Sequence, residues 1–368
     1  MKTLILTNIF DGLYKFRREL VEKLAKESEL VCVLPDDPKK DWFRKINAKY
    51  IEIVMDRRGM NPLSDYKLFK TYREILRQEK PDVILTYTIK PNIYGGIAAA
   101  REGIPYIANI TGLGTGILQK NLLSKAISFL YKKALKKATC TFFQNEENMK
   151  FFLEKKMVSG KYRQIPGSGV NIAEHRFEDY PEEERATKFL FVGRVMKEKG
   201  IDEFLSAAER VKAIYPDTLF DIVGWLEEKE YEAVSKDYQK RGIIQYFGPQ
   251  TDVHSFIKNS HATVNPSYHE GMSNVLLESA STGRPVIASN IPGCRETFED
   301  GVSGLAFEPR NVEDLTNTLI KFIELPYEKK KAMGIAGRRK VEKEFDRNIV
   351  IDAYMEEIDK IRDALERR

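Results

Sequence analysis

Cysteine is scarce. The 368 residues hold three, Cys32, Cys140 and Cys294, far apart in the chain. Scattered thiols of this kind build no disulfide framework and show neither metal-ligand nor redox spacing, so the expected setting is a reduced, cytoplasmic one. Histidine is nearly as sparse, and none of the four stands at ligand spacing from another His, Cys or carboxylate. Neither residue type signals a metal site, and no motif for a cofactor stands out. His269 precedes Glu270 and could touch a ligand, His175 falls in a linker, and His254 and His261 read as structural or exposed. Low-complexity tracts and short repeats are absent. No run approaches the ~18 apolar residues that a membrane span requires. The opening MKTLILTNIFDG has too short an apolar part for a signal peptide and no small-residue cleavage site, so it is expected to be a first buried strand.

The composition that remains is 42% hydrophobic and 31% charged, which is enough apolar surface for folded cores in a chain long enough for two domains. The net charge of +5 conceals an asymmetry: residues 1–175 are basic overall and residues 176–368 acidic. A basic first half points to an anionic partner, either a membrane surface or a phosphate-bearing acceptor, unless the lysines are simply solvated.

Apolar β-branched runs alternate with helical patterns. In the first half the runs are Leu4–Thr7, Leu30–Leu34, Ile51–Val54, Val83–Thr86, Tyr106–Ile110 and Thr141–Phe143, with periodic segments Phe16–Glu27, Tyr66–Gln78 and Asn92–Arg101 between them. Continuous apolarity without alternation is the mark of parallel strands buried on both faces. The Pro- and Gly-bearing segment IPGSGVNIAEHRF (Ile165–Phe177) breaks the rhythm. It restarts at Phe189–Val192 and continues through Phe220–Val223, Ile244–Phe247, Ala262–Asn265, Val286–Ala288 and Gly304–Phe307. The expected fold class is α/β, with two doubly wound, Rossmann-like domains over residues 1–175 and 176–347 facing each other across a cleft. Residues 348–368 read as an amphipathic helix that crosses back to brace the first domain.

Two segments carry chemistry. The first, Gly193-Arg194-Val195-Met196-Lys197-Glu198-Lys199-Gly200, follows the strand FLFV. A glycine at a strand end lets the backbone approach a ligand, and Arg194 and Lys199 supply cations suited to a diphosphate on which negative charge develops. The second, Glu270-Gly271-Met272-Ser273-Asn274-Val275-Leu276-Leu277-Glu278, follows the strand Ala262–Asn265. Its apolar spacing predicts a helix from about Ser273, with Glu270 in the loop before it and Glu278 on it. The two carboxylates would then serve different parts of one ligand. The backbone amides of Met272, Ser273 and Asn274 are expected to face phosphate or sugar oxygens. Taken singly, each segment could be a solvated turn or a capped helix; both in this order at strand ends of one domain is a much stronger signal.

At these residues the chain resembles the retaining glycosyltransferases of the two-domain GT-B fold that carry an E-x7-E motif, the family four enzymes, and within them those of capsule, O-antigen and lipid-linked oligosaccharide synthesis. The resemblance extends through SASTGRPVIASNIPGCRE (Ser279–Glu296), DGVSGLAFEP (Asp300–Pro309), the linker segment and KPNIYGGIAAA (Lys90–Ala100). It implies a nucleotide-sugar donor, a metal-independent retaining transfer and a glycolipid acceptor, with the first domain holding the acceptor and the second the donor. Arg194 and Lys199 match the pair on the diphosphate, Glu278 the residue on the ribose and Glu270 the residue facing the donor sugar. Gly12 matches a point of close backbone approach, and Val223 and Gly248 are expected near the base. Many relatives carry a histidine after the strand matching Tyr106–Ile110; this chain has Thr111 there, followed by Gly112, Gly114 and Gly116. Those glycines do not make a nicotinamide fingerprint, because the GxGxxG spacing and the following acid are missing.

Residues Ile117–Ala138 hold six lysines and no acid. Leu123, Ile127, Leu130, Ala134 and Ala138 recur at steps of three and four, with Asn121, Lys125, Ser128, Lys132 and Lys136 opposite. This predicts a helix lying either on an anionic inner-membrane surface or against the core with a solvated lysine rim. Arg17, Arg18 and Lys90 are candidates for an acceptor phosphate. The expected function is transfer of a hexose or N-acetylhexosamine from a UDP-sugar to a polyprenyl-diphosphate-linked sugar, at the cytoplasmic face of the membrane and without nucleic acid. A nucleotide-sugar epimerase would need carboxylates and a histidine converging on one sugar carbon. An inactive membrane-associated binding protein would not need the four charged residues intact.

Overall fold

The computed structural model describes residues 1–56, 59, 61–112, 122–183 and 186–367, and for Leu122 and Leu123 the backbone alone. The described chain separates into two compact units, Met1–Ser168 with Asn348–Arg368, and Gly169–Arg347. Each is built on one all-parallel sheet. In the first, β1 (Lys2–Leu6), β2 (Glu29–Leu34), β3 (Lys49–Glu52), β4 (Val83–Tyr87), β5 (Tyr106–Ile110), β6 (Cys140–Phe143) and β7 (Tyr162–Gln164) lie in the order β3-β2-β1-β4-β5-β6-β7. In the second, β8 (Lys188–Val192), β9 (Leu219–Val223), β10 (Gln245–Tyr246), β11 (Ala262–Asn265), β12 (Val286–Ser289) and β13 (Gly304–Phe307) lie in the order β10-β9-β8-β11-β12-β13. Strand order reverses at β1/β4 and at β8/β11, the points where doubly wound sheets open a crevice beyond their carboxyl ends.

The unbroken apolar runs follow from burial on both faces. In the first unit Leu4, Leu6, Val31 and Val33 face one core, while Ile5, Leu30, Cys32 and Leu34 face the other. The second core is closed by the terminal helix Arg347–Glu366, which buries Val350, Ile351, Tyr354, Ile358 and Ile361. Burying such side chains contributes about 1.5–3 kcal/mol each. Polar contacts fix where the helix lies. The almost fully buried Glu357 accepts hydrogen bonds from Lys161 at 2.6 and 2.7 Å, Arg163 at 3.0 Å and Lys360 at 3.1 Å. Burial pushes its carboxyl up, but these three cations outweigh that and hold it below the usual carboxylate range. Lys161 and Arg163 flank or lie on β7, the short edge strand that the run of apolar residues does not announce.

The second unit begins at Gly169 because Val170 pairs with the chain's return: its N–H donates to Phe345 at 2.9 Å, and its carbonyl accepts from Arg347 at 3.0 Å. The segment after it is pinned from beneath by Arg284, a fully buried arginine that donates to the carbonyls of Glu178, Asp179, Lys258, Thr282 and Gly283. Beside it, Glu178 meets His254 at 3.1 Å and Lys258 at 3.0 Å. Burial opposes its ionisation, yet Lys258 and His254 draw its carboxyl down to about 2. A carboxylate lowered in the folded state contributes stability above its unfolded value near 4.5 that is lost as pH falls through about 2. Denaturant titrations between pH 5 and 2 should therefore show a steeper loss of stability for the wild type than for Glu178→Gln. Parallel acid limbs would show that this cluster is not what titrates.

Candidate functional site

Three strand ends are laced together by backbone. Gly193, directly after β8, donates to the carbonyl of Val223 at 2.9 Å, and Gly224, directly after β9, donates to the carbonyl of Gly248 at 3.0 Å. Gly224 has φ +147°, and a Cβ there would stand 1.7 Å from the Gly193 carbonyl oxygen, so only glycine allows the approach. The Val223 side chain is in the core, which leaves only its backbone at the edge. Gly193, Val223 and Gly248, singled out separately in the sequence, are thus brought to one rim.

Across the switch point stand the charged residues. Lys199 Nζ donates to Glu270 Oε1 at 2.5 Å, and Ser267 Oγ donates to the same oxygen at 2.8 Å. Both side chains of the ion pair are mostly buried, so water screens them less than it would at the surface. Arg194 is more open, with Nη1 3.7 Å from Glu227 Oε1. The structure therefore couples Lys199 to Glu270 directly, and pairs Arg194 with a different carboxylate, Glu227, which no sequence motif marks.

What holds the Lys199–Glu270 pair was also not legible in the sequence. Gly200, at φ +70°, presses its backbone against Pro266, so the two loops touch without intervening side chains. Tyr268 N–H donates to the Glu198 carbonyl at 3.0 Å, and its hydroxyl reaches both oxygens of the buried Glu203 at 2.8 and 3.0 Å. Asn265 accepts from Ser267 N–H at 3.1 Å and donates to Ser273 Oγ at 2.6 Å. A short polar side chain at a strand end, tying its own loop, was the available signal.

The helix Asn274–Ser281 starts where the spacing predicts. Its expected row of amides needs correction at one place. Ser273 N–H donates to the Gly293 carbonyl at 2.7 Å, and its side chain is buried against Asn265, so neither faces a ligand. The Met272 side chain is core, clustered with Val170, Leu277, Ala280, Val341 and Phe345, so only its backbone could meet a ligand. Asn274 and Glu278 remain half-buried on the helix, one turn apart.

In the first unit, Arg17 is mostly buried, donates to the Gly12 carbonyl at 2.9 Å and lies 4.5 Å over the Tyr87 ring. It holds the Gly12 loop. Lys90 is tied to Asp65 at 2.7 Å, and Tyr94 donates to the other oxygen of that carboxylate at 2.9 Å. Arg17 and Lys90 thus have partners within the unit, and the third acceptor candidate, Arg18, lies 3.9 Å from Glu19. Thr111 and Gly112 are half-buried just past β5; Gly114 and Gly116 lie outside the described residues. So do Ile117–Asn121, and the Leu123 side chain. Of the predicted basic helix, Leu122–Leu135 is observed. Its Tyr131, Ala134 and Leu135 are in the core, while Lys125, Phe129, Lys132 and Lys133 are exposed. The apolar stripe is therefore committed to the protein, and the lysine rim with Phe129 faces outward. Among the described residues no group of three or more His, Cys, Asp or Glu side chains is placed to hold a metal ion, and no helix is long and apolar enough to cross a membrane.

Two parallel doubly wound sheets, with cations and carboxylates at a switch point of one, define a Rossmann-like α/β protein whose ligand crevice lies beyond the carboxyl ends of the strands. The family "Glycosyl transferase 4-like" matches residues 5–145, and "Glycosyl transferases group 1" matches residues 173–340. The chain belongs to this glycosyltransferase family and has the GT-B fold. It is 26% identical over 95% of its length, and 96% of the relative's, to the N,N'-diacetylbacillosaminyl-diphospho-undecaprenol alpha-1,3-N-acetylgalactosaminyltransferase of Campylobacter jejuni. It is 24% identical, over 93% and 88%, to the UDP-Gal:alpha-D-GlcNAc-diphosphoundecaprenol alpha-1,3-galactosyltransferase of Escherichia coli. Among solved structures, the glycosyltransferase of Rickettsia africae superposes with a TM-score of 0.80 at 18% identity, covering 98% of each chain. Anabaena Alr3699/HepE in complex with UDP and glucose does so at 0.78 and 16%, covering 98% and 100%.

Proposed function

We propose that this glycosyltransferase moves a hexose or N-acetylhexosamine from a UDP-sugar to a polyprenyl-diphosphate-linked sugar, with retention and without a metal, as a step in capsule or O-antigen glycan assembly. The observation that carries the reading is the Lys199–Glu270 ion pair at the β8/β11 switch point, beside the helix Asn274–Ser281. A fixed ammonium there suits a diphosphate that gains charge as the sugar departs, and the helix N-terminus adds its dipole. Arg194 is the second cation. Glu270 would meet the donor sugar and Glu278 the ribose, while the first unit, with Gly12 and Thr111 at its carboxyl edge, would hold the acceptor. Same-face attack would leave the departing phosphate to take the acceptor's proton. The names of the relatives support the lipid-linked acceptor, since both name undecaprenol-diphosphate sugars.

Incubation with UDP-sugars and a polyprenyl-diphosphate-linked sugar tests the reading through UDP release. Release should require the acceptor, and sugar conversion without acceptor would instead indicate an epimerase. Glu278→Ala should raise the KM for the donor about tenfold, the loss of one charged hydrogen bond, and leave acceptor KM unchanged. An effect on acceptor KM alone would move the ribose elsewhere.

The lysine rim of Leu122–Leu135, with Phe129 exposed among it, supports docking on an anionic leaflet beside such an acceptor. Co-sedimentation should favour vesicles rich in anionic lipid over neutral ones, and Lys132→Glu with Lys136→Glu should abolish the preference. Equal binding to both lipids would end the membrane proposal while leaving the transferase reading intact.

A further inference from the structure

Trp225 follows Gly224 at the carboxyl end of β9, and 45% of it is exposed. An indole left in water forgoes the burial its large apolar face would gain, and tryptophan is enriched where a protein meets a partner. The other exposed large hydrophobics described in this unit lie elsewhere: Phe177 packs over Gly283, Ile214 ends a helix, Leu219 opens β9 at its amino end, and Val302 stands in the turn before β13. Trp225 alone among them is tethered at the site. Its Nε1 donates to Glu227 Oε2 at 3.0 Å, and the other oxygen of that carboxylate is the one 3.7 Å from Arg194. The backbone fixes it on both sides. The Trp225 carbonyl accepts from Val195 N–H at 2.9 Å, Glu227 N–H donates back to Val195 at 3.2 Å, and the preceding Gly224 is bonded to Gly248. A flat aromatic face is thus tethered on a segment bonded to the Arg194 and Gly248 loops.

We propose that Trp225 is the stacking platform for the nucleobase of the donor, with Glu227 orienting indole and Arg194 guanidinium together, so that base and diphosphate are gripped by one tethered unit. This rests on the nucleotide-sugar reading above. An aromatic face takes a planar base without selecting its edge, so it supplies affinity, and the indole geometry sets which way the base lies. Pre-positioning by Glu227 limits the rotamer freedom lost on binding.

The chain has two tryptophans, and Trp42 belongs to the first unit, against Phe10 and Tyr14. In the full-length Trp42→Phe protein, Trp225 is the sole indole reporter. UDP should quench its fluorescence saturably, and inorganic pyrophosphate at matched occupancy should not. Calorimetry on Trp225→Ala should show UDP affinity reduced about tenfold or more with pyrophosphate affinity unchanged, and Trp225→Phe should recover most of the loss. Equal quenching by pyrophosphate, or unchanged UDP affinity in Trp225→Ala, overturns the platform. Failure of UDP to bind the wild type at all would reject the UDP reading and this inference with it, whereas intact UDP binding that ignores Trp225 rejects only the latter.

Discussion

Lys199→Ala should lower turnover at least about 100-fold, with a much smaller change in donor KM. The ammonium is held in a mostly buried ion pair, 2.5 Å from Glu270, so it is fixed before a donor arrives. A fixed cation stabilises the departing diphosphate more than the intact donor, because charge builds up on the leaving group only as the glycosidic bond breaks. Losing such a partner costs about 3 kcal/mol, which is about 100-fold in rate. Arg194→Ala should act in the same direction and on the same order. Acceptor-dependent UDP release is the measurement, and unchanged turnover in both variants would show that these are not the diphosphate cations. Lys199→Ala also leaves Glu270 with only Ser267 of the two donors to its Oε1, so a rate loss shared with Ser267→Ala would point to Glu270 as the group being disturbed.

Gly200→Ala should be nearly as damaging although it removes no functional group. Gly200 sits at φ +70°, and an added Cβ would lie 2.1 Å from the Pro266 carbonyl oxygen and 2.7 Å from its carbon. Both are backbone atoms, so neither can swing away. The left-handed conformation costs a side chain about 1 kcal/mol or more, and separating the two loops adds to that. A stability loss of about 3 kcal/mol is expected, together with a turnover loss approaching that of Lys199→Ala, since the residues on either side of the contact carry the ion pair. Equilibrium unfolding and UDP release, measured at a temperature where the variant is folded, separate the two effects. Full activity in a folded Gly200→Ala protein would mean that the loops need not touch.

The strands were readable because parallel strands covered on both faces must be apolar throughout, and the runs at Leu30–Leu34 and Val286–Ala288 could hardly be anything else. The edge strand β7 escaped because Tyr162–Gln164 is half exposed and polar. The helix predicted over Asn92–Arg101 is in fact a π-helical turn, Pro91–Gly95, followed by an α-helix, Gly96–Glu102. Its Asn92 accepts from Thr86 and donates to the Asn109 carbonyl, a tertiary demand that periodicity does not encode. The apolar stripe on Leu122–Leu135 was equally consistent with lipid or core, and only its neighbours decided in favour of core.

By itself, the order of amino acids determined the two-sheet α/β plan, the start of the helix at Asn274, and which charged residues stand as candidates at the strand ends, because hydrophobic periodicity and residue chemistry are local properties. The tertiary structure alone decided their pairing: Lys199 with Glu270, Arg194 with Glu227, Arg17 turned inward to Gly12, and the Ser273 amide spent on Gly293. Those choices rest on which loops meet at a strand end, and that depends on backbone contacts between residues as distant in sequence as Gly200 and Pro266.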